Sequence, residues 1–167
     1  MSHPSYPALE PMGDQGALAR LPDEASAARW ADAVRAAAPP WLLDAVQAYT
    51  TVAVFHDPAL IGVRGLMAEL ASVQARGHPA EGGTLHLIPC CYALGPDLGE
   101  IAAHAGMSPQ EAAALHASAE YVVHAIGFCP GFPYLGYLPS ALCGMPRLPS
   151  PRLRVEPGSV GLTGRQT

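Results

Sequence analysis

The sequence contains no lysine. Every fixed positive charge on its 167 residues is therefore an arginine, which excludes a P-loop lysine on a nucleotide phosphate and a Schiff-base lysine on a carbonyl substrate. It also lacks a long apolar run, since none approaches the ~18 residues of a membrane-spanning helix. The opening Met1-Ser2-His3-Pro4-Ser5-Tyr6-Pro7 has neither the basic nor the apolar region of a secretory signal, so a cytoplasmic location and no membrane partner are expected. A net charge of −5 and a pI near 5.7 supply no basic face, which excludes nonspecific nucleic-acid binding. Cysteine is scarce and unpatterned: positions 90, 91, 129 and 143 show no C-x-x-C spacing, so they read as reduced, mostly buried small apolar residues. His56, His86, His104 and His124 lie at no metal-ligand spacing and read as satisfied structural histidines, so no metal site is expected.

What the chain does have is enough apolar content, 50%, to bury a core of one domain or two small ones. Residues 1–13 carry three prolines and no periodicity and read as a flexible lead-in. Gln15 to Leu21 reads as a short strand. Asp23 caps a predicted helix from Glu24 to Ala38 with Ala28, Ala31, Val34 and Ala38 on one face, and Pro39-Pro40 stops it. Ala45 to Tyr49 and Thr51 to His56 read as strands. Asp57-Pro58 offers an N-cap and a first-turn proline for a helix to about Arg76, with Leu66, Leu70 and Val73 inward and Gly77 as its stop. Thr84 to Tyr92 follows as a strand, giving the order β-α-β-β-α-β of a ferredoxin-like split unit over 14–92.

A second region, 93–167, opens at Gly95-Pro96-Asp97. Asp97 caps a short helix ending near Ala105-Gly106, and Ser108-Pro109-Gln110-Glu111 is a capping box for another through about Ala117. Glu120 to Ile126 reads as a strand with alternating faces. The stretch Gly127-Phe128-Cys129-Pro130-Gly131-Phe132-Pro133-Tyr134-Leu135-Gly136-Tyr137-Leu138-Pro139 is too broken for a helix and too apolar for a solvated loop, and describes a stiff loop lining a pocket or interface. Beyond it, Ser159 to Leu162 reads as a last strand without a visible partner. A sheet begun at Glu120 would keep an open edge, so the natural domain is expected to continue past Thr167. Charge is uneven as well: residues 147–167 hold four arginines against Glu156 alone, whereas 1–146 hold five against thirteen acids. An arginine-bearing segment on an acidic body suits a carboxylate or phosphate site, with a solvated rim as the other reading.

Several long words in this order resemble the first-subunit family of allophanate-hydrolase-like proteins, which includes the PxpB-type component of ATP-dependent 5-oxoprolinase and the kinase inhibitor KipI. They are Ile88-Pro89-Cys90-Cys91-Tyr92, Gly95-Pro96-Asp97-Leu98, Leu115-His116 with Tyr121, the aromatic stretch, Pro146-Arg147, Pro151-Arg152, and Pro157-Gly158-Ser159-Val160 with Gly164 and Gln166. The resemblance implies an α/β (α+β) chain, an N-terminal ferredoxin-like domain followed by a cyclophilin-like β-barrel that is incomplete here.

The resemblance further implies that ATP phosphorylates the lactam oxygen of 5-oxo-L-proline so that water opens the ring to glutamate, with companion subunits of the A and C kinds. A lactam carbonyl is a poor electrophile, so catalysis needs ATP, positive groups around developing phosphate charge and a water-poor pocket. Arg147 and Arg152 either clamp an anion or brace the proline-rich loop. His116 either carries a proton at the pocket or, near a helix C-terminus, serves the dipole. Tyr121, Phe128, Phe132 and Tyr134 form an apolar wall with hydroxyl handles, core packing being the other reading for the two phenylalanines. Gly131, Gly158 and Gly161 suit a ligand cradle or tight turns but not a phosphate loop, and Pro130, Ser159 and Gln166 complete the expected substrate-binding set. Two alternatives stand beside the hydrolase: an inhibitor that docks on a histidine kinase, and a relative of the carboxyltransferase portion of urea carboxylase that needs a biotinylated partner.

Overall fold

Alternation of small and branched residues sets the sheet of the first half. Strand β2 (Gly16–Arg20) and strand β4 (Thr51–His56) pair antiparallel, with Ala17 opposite Val54 and Ala19 opposite Val52. Residues opposed in register share a face, so these four side chains, together with Ala45 of β3 (Leu42–Ala48), point to one side and are buried there. With β1 (Ala8–Pro11) they complete a four-stranded antiparallel sheet in the order β1-β2-β4-β3. The computed structural model describes residues 7–75 and 83–167, and the chain divides into two compact units, 1–84 and 85–167.

Helix α1 (Glu24–Ala37) lies on β3 and β4, and α2 (Val63–Ser72) lies on β1 and β2. Asp23 caps α1 by accepting the Ser26 N–H at 2.6 Å, and Ala38 ends it in the left-handed region at φ 41° before the two prolines. The helix is rolled from the expected face: Ala27, Trp30, Ala31 and Val34 are buried, because Trp30 has the most apolar area to hide. Leu66 and Leu70 enter from α2, each burial contributing about 1.5–3 kcal/mol. Trp41 closes the cluster, and its indole Nε1–H donates to Glu69 Oε2 at 2.7 Å.

In the second unit, α3 (Leu98–Ala105) and α4 (Pro109–Ala117) form a helical pair turned by Gly106 at φ 68°. Ser108 and Glu111 make the reciprocal capping box that the sequence predicts. Strands β5 (Val122–Ile126) and β6 (Pro133–Gly136) form an antiparallel hairpin, with a bulge between Val123 and Ala125 that breaks the expected alternation. The last residues lace onto it: Leu135 and Thr167 exchange backbone hydrogen bonds at 3.0 and 3.3 Å, and Leu138 N–H reaches Arg165 O at 2.9 Å. The buried set is small, Ala102, Ala112, Leu138 and Leu142.

Several sequence expectations are corrected. Residues 8–11, read as lead-in, form β1 by pairing with β2. Asp57-Pro58 does not start α2: the Asp57 carboxylate closes on the Ala59 N–H at 2.9 Å, making a local turn, and the helix starts after Gly62. It ends at Ser72; the expected end at Arg76 and stop at Gly77 lie outside the described residues. Thr84 to Tyr92 is not a strand, so the β-α-β-β-α-β order is not observed. Its Leu85, Leu87 and Ile88 are exposed, and the outer edge of β2 is filled by β1. Asp97 stands at the start of α3 without capping it, because its carboxylate is held by Arg152. Ser159 to Leu162 forms no strand, since Ser159 closes a turn from Glu156 and bridging begins only at Thr163. Cys90, Cys91 and Cys129 are exposed rather than buried, and His56 is buried with no hydrogen bond to either ring nitrogen among the described residues.

Candidate functional site

Three segments converge on His116. The capping box fixes the start of α4, and nine residues of helix carry His116 into its last turn. Tyr121, just before β5, turns back so that its hydroxyl donates to the His116 carbonyl at 2.9 Å and its ring lies 5.1 Å from the imidazole. Tyr92, in a 3-10 turn over Tyr92–Leu94, brings its hydroxyl to 2.7 Å from Nδ1 with the two rings edge-on. Thr167, fixed by its pairing with Leu135, places Oγ1 3.1 Å from Nε2. All four side chains belong to half-buried residues.

This burial sets the charge state. Desolvation lowers the His116 pKa, so the imidazole is neutral near pH 7. Desolvation raises the Tyr92 pKa, with the Cys90 charge adding to it, and raises that of Tyr121, with Tyr92 adding. The group is a chain of neutral donors and acceptors. A neutral imidazole interacts less strongly with the helix dipole than an imidazolium does.

The aromatic stretch forms the tip and second strand of the β5–β6 hairpin. Phe128, at φ 65°, is the centre of a three-residue turn closed by Cys129 N–H to Gly127 O at 2.8 Å. Cys129-Pro130-Gly131-Phe132 then makes a turn with proline second and glycine third at φ 79°, closed by Phe132 N–H to Cys129 O at 3.1 Å. Phe128 is 87% exposed and Phe132 41%, so neither is core. Phe128, Phe132 and Tyr134 instead stack edge to face at 5.5 and 5.2 Å along the hairpin. Glu156-Pro157-Gly158-Ser159 repeats the turn device, with Gly158 at φ 81° and the Ser159 hydroxyl donating to Glu156 O at 2.6 Å. Gly131, Gly158, Pro130 and Ser159 thus shape turns, and Gln166 bridges Gly136 through its backbone. Arg152 pairs with Asp97, while Arg147 is exposed and has no hydrogen-bond or ion-pair partner among the described residues. A depression of about 270 Å³ lies elsewhere, in the first unit, beside Arg35, Pro39 and Leu43.

Residues 7–167 match the family model described as carboxyltransferase domain, subdomain C and D. The chain belongs to that carboxyltransferase-domain family. A protein of Haemophilus influenzae, named as the B component of 5-oxoprolinase, is 32% identical over 171 residues, covering 95% of this chain and 77% of its own. Proteins of the same name from Bacillus subtilis and Escherichia coli O157:H7 are 34% identical over 142 residues and 55% identical over 82. This carboxyltransferase-domain chain spans 59% and 37% of those two relatives' lengths, respectively. The crystal structure of TTHA0988 superposes with a TM-score of 0.74 at 36% identity, covering 92% of this chain and 31% of that one.

Within the carboxyltransferase-domain chain, sequence reasoning reached His116 and Tyr121 but missed Tyr92 and Thr167. Their contacts to His116 span 24 and 51 residues, and no local spacing signals such a pairing. Among the described residues no group of three or more His, Cys, Asp or Glu is placed to hold a metal ion, and no helix is long and apolar enough to cross a membrane.

Proposed function

We propose that this chain acts as a non-autonomous subunit of an ATP-dependent 5-oxoprolinase, working with A-like and C-like companions in the cytoplasm to open 5-oxo-L-proline to glutamate. The observation that carries this reading is the 32% identity, through 95% of the chain, to the Haemophilus influenzae protein named for 5-oxoprolinase. In it the first unit is a ferredoxin-like domain whose outer edge is taken by β1, and the second is part of a cyclophilin-like barrel built on the β5–β6 hairpin. ATP is bound by the complex. The half-buried neutral group around His116 supplies hydrogen bonds to the reacting lactam, and Arg147 is the guanidinium available to an anionic oxygen. The three relatives from Haemophilus, Bacillus and Escherichia share one activity in their names, which does not favour kinase inhibition or carboxyl transfer.

The test is reconstitution of the intact protein with purified companion subunits, 5-oxo-L-proline and ATP, with glutamate as the readout. ATP-dependent release above that of the companions alone is expected. No stimulation on adding this protein rejects the reading.

A further inference from the structure

The hydrogen-bonded path through His116 has a direction. Tyr92 and Thr167 both present hydroxyls to the imidazole, and a hydroxyl can donate or accept, so the heavy atoms alone permit two arrangements. Acidity separates them. A phenol is a stronger acid than an aliphatic alcohol, and the lone pair of a neutral imidazole is the best acceptor of the three groups. The contacts follow that order, 2.7 Å on the phenol side and 3.1 Å on the threonine side.

We propose that the Tyr92 hydroxyl donates to Nδ1, that His116 is thereby held as the Nε2–H tautomer, and that Nε2–H donates to Thr167 Oγ1, leaving the Thr167 hydroxyl proton for an oxygen of a bound ligand. Each donor in this chain polarises the next, and the outermost one meets the ligand. Tyr92 is a positioning residue: it acts through His116. Thr167 is the group that touches the ligand. Its backbone is fixed on both sides by Leu135. Tyr121 donates to the carbonyl of His116 and lays its ring 5.1 Å from the imidazole. Burial supports the arrangement by keeping the phenol protonated and the imidazole neutral.

The ligand class follows from the chemistry of the exposed end. A lone O–H donor backed by a neutral chain suits an oxygen on which negative charge develops, and it needs no full proton transfer. This inference rests on the 5-oxoprolinase reading for the identity of that oxygen, a lactam or phosphoryl oxygen, but not for the direction of the chain.

Two measurements test the two parts. The first is nitrogen-15 NMR of histidine-labelled chain near pH 7, which reads the tautomer directly. His116 should carry its proton on Nε2, keep it there in Thr167→Val, and lose the preference in Tyr92→Phe, where it should also titrate closer to the ordinary histidine range. A proton on Nδ1 in the wild-type chain, or a tautomer unchanged in Tyr92→Phe, overturns the proposal. The second is the reconstituted complex. Thr167→Val should lower kcat roughly 100-fold with KM within about twofold, Thr167→Ser should restore most of it, and Tyr92→Phe should cost about tenfold. A Thr167→Val rate equal to wild type overturns the ligand-facing role of that hydroxyl. A wild-type complex that releases no glutamate removes the 5-oxoprolinase reading alone, since the NMR result is obtained without it.

Discussion

His56 is kept in the core of the first unit at a cost. It has no exposed surface, and neither ring nitrogen finds a partner among the described residues, while its neighbours along β4, Val52 and Val54, are apolar. A buried polar group without a hydrogen bond costs about 1–3 kcal/mol, so His56→Leu should raise the urea midpoint by the equivalent of roughly 1 kcal/mol. A lower midpoint would show that the ring makes a bond worth more than its burial costs. Residue identity was legible where the partner is near in sequence. Asp23 and Ser108 announce their caps because each bonds a backbone N–H three residues on. His116 announced itself only as a histidine at a helix end, because the hydroxyls that define its chemistry come from Tyr92 and Thr167. Asp97 was singled out as a helix cap and Arg152 as an anion clamp or a loop brace, and only folding across 55 residues pairs them.

Elements closed by local bonds tolerate distant change, and those closed by distant bonds do not. Helix α4 is of the first kind: Ser108 accepts from the Glu111 N–H at 3.2 Å, and Glu111 accepts from the Ser108 N–H at 2.7 Å. Ser108→Ala should therefore cost about 1 kcal/mol, read as a lower denaturation midpoint of the second unit, and an unchanged midpoint would show the box to be idle. Because the Ser108 backbone bond holds the Glu111 pKa below its ordinary value, that contribution is present above the ordinary carboxylate range and fades as pH falls through the depressed pKa. The β5–β6 hairpin is closed locally at its tip, and distant bonds from Arg165 and Thr167 lace onto its far end. Its prolines hid it: Pro133 stands at the first position of β6, where a strand tolerates a missing N–H, yet a sequence so rich in proline and glycine reads as loop. Thr84 to Tyr92 misled in the opposite sense. Its alternation is that of a strand, but alternation supplies a face and not a neighbour, and the edge of β2 belongs to Ala8–Pro11.

Across the whole molecule the chain holds two units of unequal core. Among the described residues twelve buried ones organise the first, and four organise the second, which exposes Leu87, Val122, Ile126 and Leu153. The compact units divide at 84/85, and Thr84 to Tyr92 joins no strand of the first. His116 makes the second unit sensitive to acid. Burial depresses its folded pKa, so the unfolded chain takes up a proton near pH ~6.5 while the folded one resists, and stability must fall as pH drops through that range. Urea midpoints of the second unit should decline from pH 7 to about pH 5.5, and His116→Gln should flatten that slope; an unaltered slope would assign the sensitivity to another group. The proposed chemistry depends on the same imidazole. It is tested most directly by glutamate release from 5-oxo-L-proline and ATP by the reconstituted complex carrying His116→Ala. A rate roughly 100-fold below wild type is expected; a rate equal to wild type, with the variant folded and incorporated, would contradict a role for His116 in the reaction.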